Sequence, residues 1–193
     1  MAHSPSTYRS TCSDGLARDL GVSANTVRAH AALLQTLFLV QRVPAWSSNL
    51  LSRVVKAPKT YIADCGLLCH LLGAGEQRIA DDGTVAGIVF ETFVVTELAR
   101  QIAWQEDPPS QHHYRDRDGR EVDVILERRN GSVVGIEVKS AASASSSDFR
   151  GLRQLRDKLG ERFKAGVLLY TGPSTVPFGD RLAAVPLAGL WEA

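Results

Sequence analysis

Apolar and polar positions alternate in two different rhythms along the chain, helical in the first half and mostly two-residue in the second. Leu16, Ala17 and Leu20 form one stripe of a short helix that Ser13 or Asp14 would cap and Gly21 would end. Ser23 then caps a predicted helix from Ala24 to Leu37, with Val27, Leu33, Leu34 and Leu37 facing inward. Residues 38–63 carry short apolar runs broken by Pro44 and Pro58, a strand-like pattern, and residues 64–72 read as a short helix. A long helix is predicted from Thr84 or Val85 to about Trp104.

Beyond Pro108-Pro109 the period becomes two. Three strands are predicted at 111–117, 120–127 and 133–139, with Asp118-Gly119 and Asn130-Gly131 as tight hairpin turns. Ser147 would cap a helix over 148–159 whose inner face is Phe149, Leu152, Leu155 and Leu159. Ala165–Thr171 is a continuous apolar run, the mark of a strand buried on both faces. A weaker strand at 181–185 and a short helix at 186–191 follow. A crossover through a helix between two strands permits parallel pairing. The prediction is therefore an α/β chain with a mixed sheet and helices on both faces. Its organisation is a polar leader at 1–12 expected to be disordered, a small domain at 13–72, a Gly-rich connector at 73–84 and a larger domain at 85–193.

Composition narrows the class. The chain has 193 residues, 44% hydrophobic and 22% charged, with no apolar run of the roughly 18 residues that span a bilayer. Three cysteines, an odd number, argue against a disulfide framework, and no secretory signal opens the chain, so a cytoplasmic location is expected. The net charge of +1 hides an asymmetry: residues 1–60 hold seven Lys/Arg against two Asp, a balance of +5, and the remainder is −4. A basic first third suggests a module that faces nucleic acid.

Four residues stand out chemically. Glu137 and Lys139, two apart, share a face of one strand, and Asp123 lies on the more polar face of its neighbour. Glu91 sits in the middle of the apolar stripe of the long helix, where a carboxylate is costly unless paired, protonated or metal-linked. Two or three carboxylates and an ammonium converging on a sheet suit a hard divalent cation. Adjacent His112 and His113 point to opposite faces of a strand and are not expected to share one ion.

These residues carry a resemblance. Glu91, Asp123 and Glu137-Val138-Lys139 resemble the PD-(D/E)XK nuclease signature, with Val122 in place of its proline. LARDLGVSANTVRAHAALL resembles a helix-turn-helix followed by a basic β-wing. Together with APKTYIADCGLL, FETFVVTELARQ, YRDRDGREVDVIL, GIEVKS, AGVLLYTG and FGDRLAAVPLAGLW, they make the chain similar to the C-terminal half of a bacterial AAA-type ATP-binding protein family. In that family an ATPase domain precedes a winged helix and a nuclease-like domain of unassigned function. The resemblance implies a restriction-endonuclease-like α/β/α domain behind a small winged helix-turn-helix domain. It implies Mg²⁺ or Mn²⁺ held by Asp123, Glu137 and Glu91, with Lys139 orienting the attacking water. It also implies DNA contact through Asn25, Thr26, Arg28, Arg53, Lys56 and Lys59. The sequence contains no G-x-x-x-x-G-K-[ST], so no P-loop ATP site is expected in it, and an ATPase domain or subunit is an expected partner. Self-association through apolar surface is a further expectation. The alternatives are a nuclease-like module that binds without turnover and a winged-helix transcription regulator.

Overall fold

A computed structural model describes residues 13–48, 57–116 and 119–192. They divide into two compact units, the first built from 13–45 and 57–96 and the second from 46–48 and 97–192.

In the first unit, helix α1 (Ser13–Leu20) stops at Gly21, whose φ of +67° only glycine adopts without penalty. The Val22 amide closes the turn on the Ala17 carbonyl at 3.0 Å. Ser23 caps α2 (Ala24–Thr36) by accepting the Thr26 amide at 3.1 Å. Ala17 and Val27 are buried where the two helices meet. Leu33, Leu34 and Leu37, expected inward, are instead exposed, as are Phe38 and Leu39. Periodicity locates an apolar stripe, but two helices and a ribbon leave this one uncovered. Strand β1 (Val40–Val43) pairs antiparallel with β2 (Lys59–Ile62), Val40 opposite Ile62 and Val43 opposite Lys59.

Asp64 then caps α3 (Cys65–Leu72), and Gly73 ends it in the left-handed region. Residues 73–84, expected as a connector, contain the short helix α4 (Glu76–Asp81). Asp82 Oδ1 accepts the amides of Thr84 and Val85 and so starts the long helix α5 (Gly83–Ala103), close to its predicted span.

The second unit is a six-stranded mixed sheet. Strands β3 (Ser110–Arg115), β4 (Glu121–Glu127) and β5 (Val133–Lys139) form the predicted antiparallel meander. Helix α6 (Arg150–Leu159) crosses over to β6 (Phe163–Tyr170), which lies parallel to β5. A short strand β7 (Val176–Gly179) not anticipated from the pattern precedes β8 (Leu182–Pro186), and the order across the sheet is β3-β4-β5-β6-β8-β7. β8 runs parallel to β6 and antiparallel to β7.

Helix α6 lies close on one face of the sheet because two glycines admit it. A Cβ on Gly135 would stand 2.7 Å from Leu152 of the helix, and one on Gly166 3.3 Å from the Leu152 Cβ. Phe149, Leu152, Leu155 and Phe163 are fully buried there, as the stripe predicts for the first three. Trp46 belongs to this core rather than to the ribbon of the first unit. It is fully buried, its amide donates to the His113 carbonyl at 2.6 Å, and its ring meets Tyr114 edge-on at 6.0 Å. Each fully buried side chain of this size contributes roughly 2–3 kcal/mol by removal of apolar area from water.

Candidate functional site

The second unit's sheet is irregular at one place. The β4–β5 ladder runs from Glu127↔Val133 to Val124↔Ile136 and stops. Beyond it β5 continues paired only with β6, through Glu137↔Leu168, Val138↔Leu169 and Lys139↔Tyr170. β4 continues paired only with β3, through Tyr114↔Val122 and Arg115↔Glu121. The two strands part, and in the fork the Val138 amide donates to Asp123 Oδ2 at 3.0 Å instead of to a backbone carbonyl.

A second irregularity coincides with the first. From His112↔Ile125 to Tyr114↔Val122 the path advances two residues along β3 and three along β4. β4 therefore carries a β-bulge at Asp123–Val124, a device that re-aims a side chain and ends pairing. As a result Val122 and Ile125, which a regular strand would turn to opposite faces, both enter the core against α6.

Gly135, Glu137 and Lys139 alternate onto the α6 side of β5. A Cβ on Gly151, in the first turn of α6, would stand 3.0 Å from Glu137 Oε1 and 2.5 Å from the Glu121 carbonyl oxygen. The Glu137 carboxylate thus lies against the amino end of α6, where the helix dipole favours negative charge.

Lys139 Nζ reaches Asp148 Oδ2 at 2.6 Å. The same oxygen accepts the Ser145 amide at 2.7 Å and the Ser145 hydroxyl at 2.8 Å. Partial burial would raise the Asp148 pKa, but the hydrogen bond from Lys139 and those from Ser145 outweigh it and hold the carboxyl below its usual range. The sequence pattern marks Asp148 only as the start of a helix. The turn it belongs to is a 3₁₀ segment (Ser146–Phe149) capped from Ser145, not an α-helix capped by Ser147. The signal was present as Ser145-x-x-Asp148, a capping-box spacing.

The donor set is oxygen-rich and lacks thiol or imidazole. It suits Mg²⁺ or Mn²⁺ in the manner of sites that use one or two carboxylates, several waters and the substrate's phosphate. Among the described residues no three His, Cys, Asp or Glu side chains group as a metal cage.

The remaining candidates lie in the first unit. Glu91 Oε1 accepts from Lys59 Nζ at 3.0 Å and from Tyr61 Oη at 2.8 Å. The carboxylate on an apolar stripe is thus paired, by two side chains of β2. Lys59, expected to reach a phosphate, is only 11% exposed and carries its ammonium to Glu91. Arg53 and Lys56 lie outside the described residues. Asn25 and Arg28 are exposed on the first turns of α2, where Arg28 donates to Asn25 Oδ1, and Thr26 is half-buried and bonded to the capping Ser23.

Two family profiles cover nearly all of the chain. Residues 86–190 match a domain of unknown function, DUF4143, and this stretch exceeds half of the sequence. The chain belongs to the DUF4143 family. Residues 10–78 match a second domain of unknown function, DUF8612. This DUF4143 chain is 30% identical over 172 residues to the uncharacterized protein Rv2008c of Mycobacterium tuberculosis and, equally, to the uncharacterized protein Mb2031c of Mycobacterium bovis. The match takes in 89% of this chain, which spans 37% of the length of each relative. No solved structure matches it. No helix among the described residues is long and apolar enough to cross a membrane.

Proposed function

We propose that the second unit is a metal-dependent phosphodiesterase of the PD-(D/E)XK type acting on nucleic acid, DNA in the first instance. The observation that carries this reading is the fork between β4 and β5, where the Asp123 carboxylate takes the amide between Glu137 and Lys139. The mixed sheet, with a helical crossover between parallel β5 and β6, supports a restriction-endonuclease-like fold. The helix pair and ribbon of the first unit support a winged helix-turn-helix. The greater length of the mycobacterial relatives is in keeping with a piece of an AAA-type ATP-binding protein.

In this mechanism Asp123 and Glu137 are the residues that would hold Mg²⁺ or Mn²⁺. When bound, the ion would make water more acidic and offset charge on the phosphate. Asp123 is oriented for its part by the Val138 amide. Lys139 supplies a cation beside the phosphate and orients the attacking water. Its ammonium has a defined starting position because Asp148 holds it, and Ser145 in turn holds Asp148.

One observation favours a second reading, a module that binds without turnover: the Lys139 ammonium is already neutralised by Asp148. Purified protein incubated with plasmid DNA, with and without Mg²⁺ or Mn²⁺, separates the two. Cleavage that needs the ion and disappears in Asp123→Ala and in Lys139→Ala, both still folded, is the expected result. Metal-independent cleavage, or cleavage unchanged in both variants, overturns the nuclease reading.

A further inference from the structure

The first unit carries a groove whose apolar side chains no role above uses. Leu16 and Leu20 of α1, Val27, Ala31 and Leu34 of α2, and Val40 of β1 line a cavity of about 480 Å³. That volume is within the range of working ligand sites. Leu20 is 62% exposed and Leu34 40% exposed. Two further apolar side chains follow directly on α2 in the chain and are exposed, Leu37 at 65% and Phe38 at 85%. Exposed apolar surface of this extent marks an interaction site.

Its charge is one-sided. Arg28, Arg42 and His30 are the ionisable groups of the lining, and no carboxylate is among the described lining residues. An isologous contact with a second copy would bring Arg28 and Arg42 towards the same cations of the partner, which is unfavourable. A run of leucines and a phenylalanine makes a poor surface for a phosphate backbone, whose affinity comes from cations. A small molecule would fill the cavity but leave Leu37 and Phe38 bare.

We propose that this groove docks an acidic amphipathic helix of a polypeptide segment outside this chain. Its apolar face would enter between α1 and α2, and its carboxylates would pair with Arg28 and Arg42. The two mycobacterial relatives have room for such a segment, since most of their length lies outside the matched stretch. The proposal is independent of the nuclease reading.

The test uses the full chain and three labelled peptides of about 20 residues, followed by fluorescence anisotropy. One is a helix with leucines at every third or fourth position and glutamates on its flanks, the second has lysines for those glutamates, and the third has the leucines scrambled. The acidic helix should bind saturably with one peptide per chain, and the lysine helix at least about ten-fold more weakly. Leu34→Ser, at an exposed site that tolerates a polar side chain, should weaken the acidic helix about ten-fold. Arg28→Glu with Arg42→Glu should reverse the preference, so that the lysine helix becomes the better ligand. Circular dichroism confirms that each variant is folded. The proposal is overturned by equal binding of the three peptides, by no saturable binding, or by an unchanged preference in the charge-reversed protein. Self-association lost in Leu34→Ser would make a second copy the occupant. Displacement of the peptide by a DNA duplex, with duplex binding lost on charge reversal, would make the groove a nucleic-acid surface. Either outcome also overturns it.

Discussion

Replacing Asp148 by Asn tests the link between the helix-capping turn and Lys139. One carboxylate oxygen serves three donors: Lys139 Nζ at 2.6 Å, the Ser145 amide at 2.7 Å and the Ser145 hydroxyl at 2.8 Å. Asparagine keeps one carbonyl oxygen but removes the charge. A lost or weakened cap contributes about 1 kcal/mol. The ion pair is partly solvated, with side chains 30% and 22% exposed, so its share is discounted to a few tenths and at most about 1 kcal/mol. The expected loss is about 1–2 kcal/mol at pH 7. Its pH dependence has a definite sign, because the folded-state pKa of Asp148 is lowered. The stabilisation is present above the ordinary aspartate value near pH 4 and fades as pH falls from there through the lowered value. Urea unfolding is read by Trp46, fully buried in this unit, whereas Trp104 is 89% and Trp191 53% exposed. Wild type and Asp148→Asn should differ at neutral pH and converge as pH falls below the ordinary aspartate value and through the lowered one. Equal stability at neutral pH, or a gap that stays constant into acid, would refute the argument.

Gly151→Ala should be among the costliest small substitutions in the second unit, about 2–3 kcal/mol, because its Cβ meets a backbone oxygen at 2.5 Å as well as Glu137. Gly135→Ala should cost less, since its nearest obstacle is the movable end of Leu152; urea midpoints of the two variants give the order. Glu91→Gln removes the charge of the carboxylate that accepts from Lys59, 11% exposed, and from Tyr61, and should lose about 1–3 kcal/mol in the first unit. Lys59→Met in the same background should recover part of that loss in a double-mutant cycle, and strictly additive losses would contradict the pairing. Ion-dependent cleavage should vanish in Asp123→Ala and Lys139→Ala, as measured on plasmid DNA.

The meander, the long helix and the buried face of α6 were legible because each is a local period repeated several times. Strand β7 was not, because Val-Pro-Phe-Gly has no alternation and contains a proline, and only its pairing with β8 makes it a strand. The stripe of α2 was legible as apolar but not as uncovered, since spacing says nothing of what lies opposite. The place of Asp123 and Glu137 on neighbouring strands could be read from alternation and the Asn-Gly turn. The fork and bulge that aim Asp123 at the Val138 amide could not, because they depend on which strand each segment abandons. Asp148 escaped notice because an aspartate at a helix start has an ordinary explanation, and its hold on Lys139 appears only in three dimensions.

Trp46 carries a consequence for how such chains are divided. It falls inside the DUF8612 match at 10–78, yet its indole is fully buried in the unit that carries the DUF4143 match. A fragment cut at residue 86 or 97 would lack that indole and expose or empty the space beside Tyr114, at a cost comparable to truncating a core tryptophan, about 3–5 kcal/mol. The two sequence families are therefore stitched together at this point rather than strung end to end. A short peptide spanning 46–48, left in place or supplied by a linker, belongs in any minimal version of the catalytic candidate.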